Sequence, residues 1–351
     1  MSKIAVIGAG KTGRGFVGRL LKENGSEILF IDKDENLVNE LNEKGSFDVT
    51  FFGGCREKLT VDNYKAVTWA DADLSEVELL FVSVCGPNLT DVGAHLKEKL
   101  GDQNYYIITC ENASHPSKTL GDAIGKENVF ISEATVFCTT TSDGTLEINS
   151  ENYPYLQCDA QLLNGYIPQV KAVRPIDNFG NFLTRKLYTY NAASCVIAYL
   201  GHQKGYTDYG EAANDPEILK LLDKNYAVTN RVLCKEFGYD EKDQEEFAAL
   251  SKAKFCDRTI VDTIARNARE PQRKLKENER VMGPLLLIQK YGEDTTVLEM
   301  TAAAMLLYDN EGEDSWRKIK EENTAEEILN QIGGLDRKNP LFDKIIERTK
   351  M

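Results

Sequence analysis

Histidine, tryptophan and closely spaced cysteines are scarce in this 351-residue sequence. It has three histidines, two tryptophans and eight cysteines, and no two cysteines have the spacing of a C-x-x-C motif. Because zinc sites draw on histidine and closely spaced cysteine, we expect no metal site. Disulfide frameworks belong to short exported chains, and the sequence shows no export signal. We therefore expect a reduced, cytoplasmic protein.

Long apolar runs and an excess of basic charge are also absent. No run approaches the roughly 20 apolar residues of a membrane span. The formal net charge is −14, which argues against nucleic acid or an anionic membrane as a partner. The length suggests about two domains. We expect a small-molecule partner, and the sequence is compatible with a monomer or a small homo-oligomer.

Strand-like and helix-like patterns alternate up to about residue 175, and helical patterns dominate after it. Continuous apolar runs such as LLFVSV, separated by helix-length connections, predict a doubly wound, mostly parallel sheet covered on both faces. We expect an α/β domain over 1–175 and an all-α domain over 176–351. More local predictions are strands over Ala66–Trp69, Val129–Phe137, Thr145–Ile148 and Val170–Val173 and a single helix over Asn178–Leu200.

The N-terminal segment KIAVIGAGKTGRGF carries Gly8, Gly10 and Gly13 in the spacing G-x-G-x-x-G. An apolar strand precedes this loop, an amphipathic helix follows it, and the next strand, EILFID, ends in Asp32. In such a unit the glycines permit a tight turn, the approach of a pyrophosphate and close packing of helix on strand. Asp32 can bind a ribose diol and would repel a 2′-phosphate. The first domain is therefore predicted to be a Rossmann-type domain that binds NAD.

Two further strand ends are expected to line the cofactor. The turn SVCGPN closes one buried strand, and the strand YYIITC ends at a Glu-Asn pair; a plain strand-to-helix turn is the alternative for SVCGPN. The predicted cofactor-binding residues are Gly8, Ala9, Gly10, Lys11, Thr12, Gly13, Asp32, Cys85, Gly86 and Glu111.

Three polar residues stand out in the apolar helical segment RKLYTYNAASCVIAYLG: Lys186, Asn191 and Ser194. At 100° per residue, Asn191 lies about 140° and Ser194 about 80° around the helix from Lys186, so one side carries all three. A desolvated lysine amine can accept a proton from an alcohol, and an amide can hold the alkoxide that develops. A solvated surface lysine is the alternative. Asn112, after its strand, can bind a substrate oxygen or cap a helix.

The segment RNAREPQRKLKENER carries six basic residues. Arg269, Arg273 and Lys274 within it could bind a phosphorylated substrate, since guanidinium groups bind phosphate with two hydrogen bonds. A solvated charged turn, broken at Pro271, is the alternative.

Several segments together resemble the polyol-specific long-chain dehydrogenases: GAGKTGRGFVGRLL, CGP, CEN, RKLYTYNAASCVIAYLG and REPQRKLKENERVMGPLL. The resemblance implies hydride transfer with NAD and without a metal ion. It implies that Lys186 is the general base, that Asn191 and Asn112 polarise the reacting oxygen, and that Arg269–Lys274 is the basic segment of the sugar-phosphate branch. Ser194 stands where that family usually has a histidine, and the segment 131–141 lacks its Asp-Arg pair.

Three functions follow as hypotheses. The first is interconversion of a sugar-alcohol phosphate and a ketose phosphate, such as mannitol 1-phosphate and fructose 6-phosphate. The second is the same chemistry on a non-phosphorylated polyol or a uronate, which the serine at 194 makes plausible. The third is an NAD-binding sensor that has lost turnover. In the two enzymatic hypotheses, the substrate is bound by Ser194, Arg269, Arg273 and Lys274.

Overall fold

The computed structural model describes residues 3–54, 57–111 and 115–350. The chain divides into two compact units, Met1–Gly180 and Asn181–Met351, so the division falls after residue 180, whereas the sequence predicts it at 175. The first unit is α/β and the second is helical, which confirms the predicted fold class. In the part of the chain that the structure describes, no helix is both long and apolar enough to cross a membrane.

The first unit contains the strands. They are β1 (Lys3–Ile7), β2 (Glu27–Ile31), β3 (Phe47–Phe51), β4 (Leu59–Val61), β5 (Tyr64–Val67), β6 (Val77–Val82), β7 (Tyr105–Thr109), β8 (Val129–Thr135), β9 (Thr140–Thr141), β10 (Ile148–Ser150), β11 (Leu156–Asp159) and β12 (Val173–Ile176).

Eight of these strands form the main sheet, in the order β12-β11-β8-β7-β6-β1-β2-β5. All neighbouring pairs are parallel except β8 with β11. The strand β1 lies in the middle, and the chain proceeds from it toward one edge and then, after β5, toward the other. In an open parallel sheet a ligand binds at this reversal, outside the carboxyl ends of the strands.

Both faces of the main sheet are covered, as its continuous apolar strands predict. Ile4 and Val6 of β1 pack in the core on one face, and Ala5 and Ile7 pack in the core on the other. Successive side chains of a strand point to opposite faces, so a strand that is apolar at every position must be buried on both.

A smaller sheet in the order β4-β3-β10-β9 was not predicted from the sequence. In it, β3 pairs with β10, and Val49 lies opposite Ile148. The predicted strand Thr145–Ile148 is wrong in its bounds, because Thr145 turns back to donate both its N–H and its hydroxyl to the Asp143 carboxylate. The strand therefore begins only at Ile148.

Two other predicted strands are displaced along the chain. The strand predicted over Ala66–Trp69 is β5, Tyr64–Val67. The strand predicted over Val170–Val173 begins at Val173, because the Val173 N–H donates to the Val170 carbonyl in a turn.

The α-helices bound the main sheet and build the second unit. They are α1 (Arg19–Asn24), α2 (Glu35–Lys44), α3 (Leu89–Lys99), α4 (Pro116–Ile124), α5 (Phe179–Lys186), α6 (Ala192–Gln203), α7 (Tyr209–Ala213), α8 (Pro216–Phe237), α9 (Glu241–Cys256), α10 (Ile264–Ala268), α11 (Pro271–Lys274), α12 (Met282–Lys290), α13 (Thr296–Leu307), α14 (Asp314–Glu322), α15 (Ala325–Gln331) and α16 (Pro340–Arg348).

The single helix predicted over Asn178–Leu200 is interrupted by a π turn. The structure has α5, then a π turn over Leu187–Asn191, then α6. The Ala192 N–H donates to the Leu187 carbonyl, five residues earlier, which is the π-helical pattern. In the second unit, α6 lies in the core and is buried on every side from Cys195 to Gly201.

Candidate active site

Six parallel strands of the first unit end at the same edge of the sheet, and the segments that follow them line one cavity. These are the segments after β1, β2, β5, β6, β7 and β8. The cavity has a volume of about 610 Å³, within the range of small-molecule and cofactor sites. The predicted cofactor residues that line it are Gly8, Gly10, Lys11, Thr12, Asp32, Cys85 and Glu111.

The conformation of the loop between β1 and the following helix requires glycine at two positions. Gly8 has φ +92°, and a Cβ there would lie 2.3 Å from the Ser83 carbonyl oxygen. A Cβ on Gly13 would lie 1.9 Å from the Gly8 carbonyl oxygen. No atom lies within 4 Å of a Cβ placed on Gly10, so the backbone there faces open space that a ligand can approach.

Asp32 is hydrogen-bonded to the glycine loop. The Ala9 N–H donates to Asp32 Oδ2, with 2.7 Å between nitrogen and oxygen, and the Asp34 N–H donates to Asp32 Oδ1 at 3.0 Å. The Ala9 carbonyl in turn accepts a hydrogen bond from the buried Arg14 guanidinium. Ala9 therefore lies behind the cavity lining, where its peptide groups are held by two charged side chains.

Glu111 follows β7 and lines the same cavity. Burial raises the pKa of its carboxyl from the ordinary value of 4.5 to about 7. Cys85 is exposed at the same cavity, and Gly86 begins a one-turn helix, Gly86–Asn88, without lining it. Asn112 lies outside the described residues.

Several residues that line the cavity are not among the predicted cofactor-binding residues, and Trp69 is the largest of them. Its indole stacks on the His95 imidazole, with 4.8 Å between ring centroids and 13° between planes. The predicted strand Ala66–Trp69 placed this residue inside the sheet. A strand ending at Val67 would have placed Trp69 at the carboxyl edge, with the other lining residues. Val136 was missed for a similar reason, since the strand predicted over Val129–Phe137 ends at Thr135.

These features fit a dinucleotide. The cavity is at the strand reversal, the loop leaves space beside Gly10, and a carboxylate lies at the end of β2. A pyrophosphate can accept hydrogen bonds from backbone N–H groups at the start of the following helix, and a ribose diol can donate to Asp32. By contrast, no group of three or more metal-ligating side chains occurs among the residues that the structure describes.

In the second unit, the π turn changes the predicted relation between Lys186 and Asn191. In a uniform α-helix these residues would be about 140° apart. The π turn hydrogen-bonds residues five apart, so positions 186 and 191 fall on nearly the same side. The assumed spacing of 100° per residue is therefore wrong across this segment, and the correction brings the two residues closer in direction.

The Lys186 amine is desolvated. Burial, together with repulsion from Lys254 and Arg280, lowers its pKa from 10.5 to about 8. A lysine with a pKa near 8 exists in both protonation states near neutral pH, so it can accept and return a proton.

Ser194 and Lys274 both contact Asn267, a residue that the sequence analysis did not single out. The Ser194 hydroxyl donates to Asn267 Oδ1 at 3.4 Å, and the Lys274 amine donates to the Asn267 backbone carbonyl at 2.5 Å. Lys274 is buried, and desolvation lowers its pKa to about 8. Asn267 thus links two predicted substrate residues from different helices.

The remaining predicted substrate residues differ in their surroundings. Arg273 donates to the Glu270 carboxylate at 2.9 Å and lies 3.8 Å from the Glu279 carboxylate. Arg269 is exposed. The basic segment is therefore a mixture of ion-paired, exposed and buried cations, and among its predicted substrate residues only Lys274 is buried.

Each unit of the chain matches a known protein family. Residues 178–341 match the mannitol dehydrogenase C-terminal domain, and residues 4–159 match the ketopantoate reductase PanE/ApbA family. The mannitol-1-phosphate 5-dehydrogenase of Phaeosphaeria nodorum is 27% identical over 380 residues, which cover 99% of this chain and 97% of the relative. The enzyme of the same name from Geobacillus thermodenitrificans is 26% identical, with 98% and 97% covered. The second unit is thus similar to the mannitol dehydrogenase C-terminal domain, and the chain is similar over its full length to mannitol-1-phosphate 5-dehydrogenases.

Solved structures show that the chain shares its fold with polyol dehydrogenases. A substrate-free D-sorbitol dehydrogenase superposes with a TM-score of 0.75 at 14% identity, covering 99% of this chain and 92% of the other. Pseudomonas fluorescens mannitol 2-dehydrogenase, in a ternary complex with NAD and D-mannitol, superposes with a TM-score of 0.64 at 13% identity, covering 99% and 90%. Over both units, the chain is therefore similar to oxidoreductases.

Proposed function

We propose that this protein is an NAD-dependent oxidoreductase that interconverts a sugar-alcohol phosphate and a ketose phosphate, of the mannitol 1-phosphate and fructose 6-phosphate type. The observation that carries the proposal is the pKa of Lys186, lowered by burial to about 8 in the helix where the family resemblance expects the general base. Full-length similarity to mannitol-1-phosphate 5-dehydrogenases supports the choice of substrate class.

The first unit binds the cofactor in this proposal. The glycine loop, with Gly8, Gly10 and Gly13, holds the pyrophosphate, and Asp32 binds the adenosine ribose. A carboxylate at that position disfavours a 2′-phosphate, which supports NAD over NADP. Bound NAD supplies the hydride acceptor for alcohol oxidation, and NADH supplies the hydride for the reverse reaction.

Lys186 is the general acid and base of the proposed reaction. In alcohol oxidation its neutral amine accepts the hydroxyl proton, and in ketone reduction its ammonium returns one to the oxygen. Asn191 holds the reacting oxygen, supported by the π turn that brings it to the same side as Lys186. Asn112 joins it on sequence grounds, and Ser194 contacts a substrate hydroxyl. Because a lysine and amides supply the acid–base and oxyanion chemistry, the proposed reaction needs no metal ion.

The buried Lys274 amine is the proposed phosphate contact, with Arg269 and Arg273 beside it in sequence. Three arginines, Arg269, Arg273 and Arg280, repel the Lys274 ammonium and contribute to its low pKa. These cations therefore lie close enough to interact electrostatically. An anion among them would relieve that repulsion.

A second candidate acts on a non-phosphorylated polyol or a uronate. The observation that favours it is the engagement of Arg273 by Glu270 and Glu279, which compensates the charge that a phosphate would otherwise meet.

The deciding experiment follows NADH oxidation by absorbance with fructose 6-phosphate and with fructose. Turnover confined to the phosphate, unchanged by a chelator, is the expected result. In Lys274→Met the KM for fructose 6-phosphate should rise about tenfold or more, since a hydrogen bond to a charged group is lost. Lys276→Met, at an exposed position of the same segment, should leave KM unchanged. Equal turnover of fructose, or turnover of uronates alone, would establish the second candidate instead.

A further inference from the structure

Arg14 is the second residue of the helical segment after the glycine loop, and its side chain is only 4% exposed. Burying a guanidinium is costly unless its charge and its N–H groups are compensated, and this group does not give up its proton in proteins. A buried arginine beneath a ligand-binding loop therefore needs an explanation in terms of its partners.

The protein compensates this charge incompletely. The guanidinium donates to the Ala9 carbonyl and lies 5.8 Å from the centroid of the Phe47 ring. Its Nε has no hydrogen-bond partner, and no carboxylate among the described residues comes within salt-bridge distance. Asp32, Glu40 and Glu147 attract it from further away, but burial outweighs them and lowers the pKa of Arg14.

Arg14 also determines how the loop is held. Its guanidinium donates a hydrogen bond to the Ala9 carbonyl, and the Ala9 N–H donates to Asp32. With both polar groups of this peptide engaged from inside, the loop conformation is set before any ligand arrives. Such preorganisation reduces the free-energy cost of binding.

We infer that Arg14 is a positioning residue for the cofactor pyrophosphate: it holds the glycine loop through Ala9 and supplies a buried positive charge that the diphosphate compensates. This inference rests on the proposed function, because it concerns the same cofactor. Beyond the residues that line the cavity, it assigns a role to Arg14, which lies behind the lining and acts through the loop. Arg14 should therefore affect the binding of the diphosphate and not that of the adenosine.

Arg19, the first residue of α1 and five positions after Arg14, provides a matched control. It is equally buried, at 1% exposure, and lies near the Phe16 and Phe51 rings. Its guanidinium, however, pairs with the Glu23 carboxylate at 3.1 Å and donates to the Tyr153 carbonyl at 2.5 Å. The charge of Arg19 is thus compensated within the protein, and no ligand is needed for it.

The test measures dissociation constants of NADH, ADP and adenosine for the full-length wild type, Arg14→Met, Arg14→Gln and Arg19→Met. We expect the two Arg14 variants to bind NADH and ADP about tenfold or more weakly, and to bind adenosine as the wild type does. Glutamine retains a donor for the Ala9 carbonyl and removes only the charge, so it also serves if the methionine variant does not fold. Arg19→Met should change all three constants by less than twofold.

Two results would overturn the inference while leaving the proposed function intact. One is wild-type affinity for ADP in Arg14→Gln, and the other is an equal loss of adenosine and ADP affinity, which indicates a merely structural role. A wild-type protein that binds neither NADH nor ADP would overturn the proposed function itself, and the inference with it.

Discussion

The Ala9 N–H donates a hydrogen bond to Asp32 Oδ2, with 2.7 Å between the two atoms. This contact joins the loop after β1 to the end of β2, so the carboxylate proposed to bind the ribose also shapes the loop proposed to bind the pyrophosphate. Each carboxylate oxygen can accept more than one hydrogen bond, so capacity remains for a diol.

Replacing Asp32 by Asn should weaken NAD binding and reduce the preference for NAD over NADP. The substitution retains the size of the side chain but removes the charge that attracts the diol and repels a 2′-phosphate. We expect the dissociation constant for NAD to rise about tenfold or more, measured by titration of NADH fluorescence.

Asp34→Asn is the control for this substitution. Asp34 caps α2 by accepting the N–H groups of Asn36 and Leu37, and Asn caps helices equally well. Its NAD and NADP affinities should match those of the wild type. An unchanged preference in Asp32→Asn would remove this residue from the cofactor site.

Replacing Gly8 by alanine should lower the stability of the protein, whereas replacing Gly10 by alanine should lower its affinity for NADH. Gly8→Ala places a Cβ against the Ser83 carbonyl at positive φ, so we expect the free energy of unfolding to fall by about 2 kcal/mol or more. Gly10→Ala points into open space, so stability should be retained while NADH affinity falls. Urea unfolding and NADH titration measure the two effects. Full NADH affinity in Gly10→Ala would show that the pyrophosphate does not approach there.

Lys186→Met should lower kcat by about 10² to 10⁴, the typical contribution of general acid–base catalysis, with NADH still bound. In the wild type, the rate of alcohol oxidation should rise as pH increases through about 8, because the amine must be neutral to accept a proton. The rate of ketone reduction should fall over the same interval, because the ammonium is then the donor. Near-normal turnover in the variant would exclude Lys186 as the base.

Lys254→Met should move the midpoint of that pH profile to higher pH. Its ammonium repels the Lys186 ammonium and contributes to the low pKa of Lys186, so its removal makes the amine easier to protonate. Lys252→Met is the matched control on the same helix, since Lys252 pairs with Asp223. A midpoint that stays in place in both variants would mean that Lys254 does not contribute to the low pKa of Lys186.

Glu111→Gln should stabilise the protein at alkaline pH and not at acid pH. The carboxyl ionises with a pKa of about 7 in the folded protein and near 4.5 when unfolded. Rising pH therefore favours the unfolded wild type between these values, and the amide variant escapes this loss. Urea unfolding at pH 4 and pH 8 should show a gain only at pH 8. An equal change at both values would point to altered packing instead of ionisation.

Local order along the chain was enough to predict that the glycine loop and Asp32 lie together at the carboxyl edge of the sheet. A buried strand, a glycine loop, a helix and a strand ending in Asp32 are neighbours in sequence, and the carboxyl ends of parallel strands meet at one edge by geometry. Strand ends were less accurate, which is why Trp69 was missed. Val49 and Ile148 pair across a hundred residues, and no local pattern indicates such a partner.

The sequence by itself determined the two-part fold, the glycine loop and the helix that carries Lys186, because these depend on hydrophobic periodicity and on short spacings. Only the tertiary structure decided the protonation of Lys186 and Lys274, the buried charge of Arg14 and the π turn before α6. A pKa depends on which distant segments exclude water and which charges they bring near, and an extra residue in one helical turn has no signature in the local pattern of side chains.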